Sequence, residues 1–154
     1  MIPKGRATVY ALVVSASALV GIANYESYRD AAYIPVLGDV PTIGFGSTEG
    51  VKLGQKTTPE RALIRLLADA DRHANGIRRC INVPLYQYEF DAYLSLTYNI
   101  GVDAFCRSTL NKLLNQSEYE GACKQILRWN RQGGRVLPGL TVRRESEYRQ
   151  CMGA

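Results

Sequence analysis

The stretch Ile34-Pro35-Val36-Leu37-Gly38-Asp39-Val40-Pro41-Thr42-Ile43-Gly44-Phe45-Gly46 sets prolines and glycines among β-formers. Such punctuation predicts short strands joined by tight turns, a small sheet within positions 26 to 56. The next segment has a different pattern. Thr58-Pro59-Glu60 is a helix start, with a capping Thr, Pro at the first position and an acid in the first turn. Leu63, Leu66, Leu67 and Ala70 then fall at i, i+3, i+4 and i+7 on one face of a helix running to about Arg79.

Further helices are expected downstream. Pro84 marks a break, and Tyr86, Phe90, Tyr93, Leu94 and Thr97 trace a second face that Gly101 ends. Ala104 to Asn115 reads as a short helix. Ser117-Glu118-Tyr119-Glu120 has the form of a capping box for another, with Ile126 and Trp129 inside it. Gly133-Gly134 and Pro138-Gly139 interrupt the chain before a last helix from about Thr141 to Cys151. An early sheet followed by a run of helices is an α+β architecture, mostly helical. The length of 154 residues suits one such domain.

Upstream of the sheet, Lys4 and Arg6 precede an uncharged run from Ala7 to Ala23. A basic start and an apolar stretch read as an export signal whose positive end stays in the cytoplasm. As one helix the run would be roughly 26 Å long, short of the about 30 Å of a hydrocarbon core. About half of it is Ala, Gly, Ser or Thr, so it is marginal as an anchor. Three readings stand: a signal peptide cleaved after Ala16-Ser17-Ala18, a weak membrane anchor, or a buried soluble helix. The weak anchor fits the pattern best.

Composition narrows the function. The net charge of +5 favours acidic partners, an anionic wall or lipid among them. No helix carries the clustered Lys and Arg that phosphate contact needs, which argues against nucleic acid. Cys80, Cys106, Cys123 and Cys151 lack metal-ligand spacing and His73 is the single histidine. Two disulfides in an oxidising compartment fit better than a zinc site.

Two stretches carry chemistry: Tyr25-Glu26-Ser27-Tyr28-Arg29, and the run from Gly38 to Gly46. Hydrolysis of a glycosidic bond needs a carboxylic acid to protonate the leaving oxygen, and a second group opposite to place water or act as nucleophile. A semi-buried Glu at a helix end can be that acid. Glu26 fits.

Here the sequence resembles the phage lysozymes, or endolysins. Their signature is a Glu near the end of the first helix, then a short sheet bearing an Asp and a Thr before an Ile-Gly-aromatic-Gly turn. The likeness continues through Thr48-Glu49-Gly50-Val51, Tyr98-Asn99-Ile100-Gly101, Arg128-Trp129-Asn130-Arg131, Gly139-Leu140 and Arg143-Arg144. The leading segment resembles the signal-anchor-release subgroup. That implies a division into an anchor over 1–24 and a lysozyme-like catalytic domain over 25–154, with a small antiparallel sheet beside a helical bundle.

The resemblance implies inverting hydrolysis of the β-1,4 bond between N-acetylmuramic acid and N-acetylglucosamine, with no metal or organic cofactor. Glu26 would be the general acid, and Asp39 with Thr42 would position water. Tyr98 and Ser108 fall where the family lines its saccharide cleft, and Arg143 or Arg144 would approach Glu26. The sequence departs from the family at one point. Pro35 occupies the usual place of the Asp, so either Asp39 serves from a reshaped turn or Thr42 chiefly holds the water; Asp30 is a weaker candidate. The order of helices in the resembling fold suggests the pairs Cys80–Cys106 and Cys123–Cys151. Expected partners are peptidoglycan and, through residues 7–23, the host inner membrane, with the N-terminus cytoplasmic. Release would deliver a monomer to the periplasm. A lytic transglycosylase and a non-catalytic, membrane-tethered wall-binding protein are the alternatives; the Asp–Thr pair argues against the first.

Overall fold

A computed structural model describes residues 5–154; Lys4, the start of the expected basic region, lies outside them. Residues 7–23 do not form one helix. Ala7 pairs with Leu85 through two backbone hydrogen bonds of 2.8 Å. A 3₁₀ turn spans Val9–Ala11, an extended stretch follows, and α1 begins only at Ala16 and runs Ala16–Tyr25. The break has a clear cause. Ser15 is extended and its hydroxyl caps α1 by accepting from the Ala18 N–H at 3.0 Å. The same hydroxyl donates to Asp91, and the Gln87 amide satisfies both the N–H and the carbonyl of Val13. Backbone groups that a helix would have paired internally find partners on the domain instead. Among the described residues no helix is long and apolar enough to cross a membrane. Val9, Leu12, Ala18 and Ile22 are buried in the main core.

The sheet is antiparallel: β1 (Arg29–Tyr33) pairs with β2 (Thr42–Gly44), Arg29 opposite Gly44 and Tyr33 opposite Thr42. The spans between those pairs differ in length, so β1 bulges. Gly44 must be glycine on two counts. Its φ is +66°, and a Cβ there would lie 2.9 Å from that of Ala62.

Helix α2 (Pro59–Arg78) starts as expected, with Thr58 accepting from the Arg61 N–H. Its buried face is not the leucine row. Leu66 and Ala70 are buried, but Leu63 and Leu67 are 43% and 42% exposed, while Ala62, Ala74 and Ile77 turn inward. Small side chains let the sheet and the segment starting at Val102 approach this helix closely: a Cβ added at Gly76 would lie 2.6 Å from Val102. The central element is α3 (Gln87–Ile100), buried along most of its length, with Glu89 accepting from the Tyr86 N–H to cap its start.

The expected helix over 104–115 is two, α4 (Val102–Arg107) and α5 (Thr109–Asn115). Ser108 separates them by adopting an extended conformation and capping α5 through the Asn111 N–H at 3.1 Å. The capping box at Ser117 does not form. Ser117 turns into the left-handed region at φ +64° to close α5, and Glu118 becomes the N-cap of α6 (Tyr119–Gln125). After a 3₁₀ turn, β3 (Arg131–Gln132) and β4 (Arg135–Val136) form a hairpin around Gly133-Gly134. Both glycines have positive φ, as a tight hairpin turn requires. Helix α7 (Pro138–Cys151) begins at the proline, three residues before the expected start. Disulfides join Cys80 to Cys106 and Cys123 to Cys151, each with 5.7 Å between Cα atoms.

Candidate active site

Glu26 caps the C-terminus of α1, its N–H held by the Ile22 carbonyl at 3.1 Å. The helix therefore delivers its last side chain to the sheet. The carboxyl is a quarter exposed and accepts from Arg143 Nη1 at 3.2 Å. On its other side the turn after β2 closes in, so near that a Cβ at Gly46 would lie 3.2 Å from Glu26 Oε2. Gly46 also needs φ +87°. Two separate demands thus converge on the last glycine of the Ile-Gly-Phe-Gly turn.

Arg143 is itself buried and fully engaged. Its Nε donates to Glu147 at 3.1 Å, its Nη2 to the Ser95 carbonyl at 3.0 Å, and its guanidinium lies 4.5 Å from the centre of the Tyr25 ring. Ser95 also donates to Glu147, at 2.7 Å. Burial raises the proton affinity of the Glu147 carboxyl, and its interactions with the arginines and Ser95 lower it only in part.

Tyr98, from α3, donates its hydroxyl to the Phe45 carbonyl at 3.3 Å and packs against His73 with 5.0 Å between ring centres. Burial, then the negative charges of Asp69 and Glu26, hold its phenol proton far above the ordinary range. Tyr98 is therefore a neutral donor beside the Glu26 turn at any working pH. A cleft of about 330 Å³ opens here, lined by Gly46, Thr48, Glu49, Asp69, Arg72, His73 and Tyr98. Arg72 bridges Asp69 and Glu49, and Ser47 donates to the buried Asp69 carboxylate.

So Gly46 and Tyr98 line the cleft, and Glu26 lies directly behind Gly46 with Arg143 bonded to it. Thr42 is buried at the start of β2, its hydroxyl donating to the Val40 carbonyl at 3.2 Å. Asp39 lies on the exposed loop between the strands, accepting from the Val40 N–H at 3.3 Å. Pro35 sits on the same loop, and Asp30 is exposed on β1. Ser108 lines a different cleft of about 420 Å³, with Arg107, Gln125, Arg128 and Trp129 among its walls. Arg144 does not reach Glu26; it turns inward to Glu147. The Asp69, Arg72 and His73 group escaped the sequence reading. Its i, i+3, i+4 spacing was visible, but polar residues so spaced on a helix usually mark a solvated face.

The phage lysozyme family model matches residues 23–147. The chain belongs to the phage lysozyme family. Among its relatives is the endolysin of Acyrthosiphon pisum secondary endosymbiont phage 1, 38% identical, with the alignment covering 87% of this chain and 94% of that one. The SAR-endolysin of Pseudomonas phage phiKMV is 36% identical over 89% of this chain and 87% of its own. Among solved structures, the endolysin from Escherichia coli O157:H7 phage FAHEc1 superposes with a TM-score of 0.81 at 34% identity, covering 92% of this chain and 94% of that one. The match begins within α1 and takes in Glu26, both strands and Arg143. This phage lysozyme therefore carries its candidate acid, turn and arginine inside the family region.

Proposed function

We propose that this phage lysozyme hydrolyses the β-1,4 bond between N-acetylmuramic acid and N-acetylglucosamine in peptidoglycan and so lyses the host bacterium. The observation that carries the reading is the half-buried Glu26 carboxyl, fixed between Arg143 and the Gly46 turn beside a cleft of sugar-binding size. Glu26 donates a proton to the leaving glycosidic oxygen. Water, positioned by Asp39 and Thr42, attacks the opposite face, and the product anomer is inverted. Tyr98 supplies a neutral hydroxyl and an aromatic edge to the cleft; Ser108 extends saccharide contact elsewhere. Reducing-sugar release from purified peptidoglycan tests this. Glu26→Gln lowers the rate by about 10²–10⁴-fold. Asp39→Asn lowers it by at least tenfold if Asp39 holds the water, and unchanged turnover removes Asp39 from the mechanism. Anhydro-sugar products would replace hydrolysis by transglycosylation.

The protein is further proposed to begin tethered in the host inner membrane through residues 7–23, N-terminus cytoplasmic, and inactive there. The charge-free composition of the run and the likeness to a SAR-endolysin support this. The packing of Val9, Leu12, Ala18 and Ile22 in the core gives the released form, a periplasmic monomer, its destination. Glu26 stands three residues beyond the run, so its helix cannot join the domain while the run lies in lipid. Leucines added to the run should delay lysis; unchanged timing sinks the tether.

A further inference from the structure

Behind Arg143 lies a buried charge cluster that acid–base chemistry at Glu26 does not itself require. Arg144 is fully buried, Glu147 is 2% exposed and Arg143 6%. Glu147 is the carboxylate shared by both guanidinium groups. Its Oε1 accepts from Arg143 Nε at 3.1 Å and from Arg144 Nη2 at 3.3 Å; its Oε2 lies 2.9 Å from Arg144 Nε as an ion pair, though neither atom completes a hydrogen bond there. Burying two cations against one anion is costly, and leaves a surplus positive charge whose next carboxylate is Glu26. Burial also weakens the hold of the Arg144 guanidinium on its proton.

We infer that Glu147 is a positioning residue for the general acid, aiming the Arg143 fork at Glu26 and cancelling the charge of the second arginine. The geometry supplies both halves. Each of the three Arg143 guanidinium nitrogens donates to one target: Nε to Glu147, Nη2 to the Ser95 carbonyl and Nη1 to Glu26. With Glu147 and Ser95 holding the planar group on two sides, Nη1 is held toward Glu26. A second arginine without its counter-ion would draw the catalytic proton away, because a nearby positive surplus favours the carboxylate form. The other charged and titratable groups nearby are Tyr98 on α3, which senses the Glu26 charge, and, lining the cleft with Tyr98, Asp69, Arg72 and His73 on α2 and Glu49 before it. Substitutions on α7 leave these in place, so their effect cancels between variants.

The inference rests on Glu26 being the acid. Its test is the pH profile of kcat on purified peptidoglycan for the native protein, Glu26→Gln, Glu147→Gln and Arg144→Gln. Glu147→Gln should move the high-pH limb down by about one pH unit, and Arg144→Gln should move it up by about the same. Shifts of opposite sign do not follow from structural damage, and either variant that folds decides its own half. If neither folds, Glu147→Asp keeps the charge and shortens its reach: kcat should fall several-fold with the limb in place, and unaltered kcat overturns the positioning role. Coincident limbs in an active native enzyme, with Glu26→Gln dead, overturn this inference alone. An active Glu26→Gln overturns the assignment of the acid instead.

Discussion

The two stretches that carry the candidate acid and the candidate water-holding residue are built in opposite ways. Glu26 stands at the end of a capped helix, gripped by an arginine each of whose three nitrogens donates to a partner inside the protein. By contrast, the loop from Ile34 to Val40 is exposed throughout, and Leu37 is 102% exposed. Asp39 rides on that loop, its carboxylate bonded to the next N–H in the chain. The group proposed to give a proton in one fixed direction sits on a rigid support. The group proposed to hold a water sits where the backbone is free to meet an incoming glycan strand. Thr42 marks the border, anchored in β2 with its hydroxyl turned back to the loop.

Substitutions can break or sharpen that contrast. The largest effect is expected from Arg143→Met, which leaves Glu26 without its cation and Glu147 with Arg144 alone. Breaking a buried pair in this way costs about 3–5 kcal/mol, read as a lower denaturant midpoint. A loss below about 1 kcal/mol would mean that the grip is not rigid. Next comes Gly44→Ala, at the root of the turn that presses on Glu26. Its positive φ and the Ala62 contact together predict about 2 kcal/mol of destabilisation. A neutral outcome would show that β2 can retreat from α2. The smallest effect belongs to the loop: Leu37→Ser should leave stability within about 0.5 kcal/mol of native. A clear loss there would reveal packing that makes the two stretches alike.

The legibility of the sequence divides in the same way. The turn signature around Gly44 and Gly46 and the cap at Thr58 were legible because each is a local rule with one physical solution. So was Glu26, whose place at a helix end comes from residues next to it. The split at Ser108 and the left-handed Ser117 were not, since a serine serves equally well inside, before or after a helix until its neighbours choose. The leucine row of α2 misled for a related reason: close packing selected the alanines, and hydrophobicity alone ranks leucine higher. The break at Ser15 depended on Gln87 and Asp91, more than seventy residues away in sequence. The role of Asp39 rests on how an exposed loop bends, which local pattern does not fix.

Both covalent crosslinks fall within residues 80–151, one from the turn after α2 to α4 and the other between α6 and α7. Neither encloses the stretch ahead of the sheet. Oxidation can therefore finish its work on the C-terminal part of the molecule without waiting for the first two dozen residues. Formation of the two disulfides and docking of the leading segment are thus not tied together by any covalent loop.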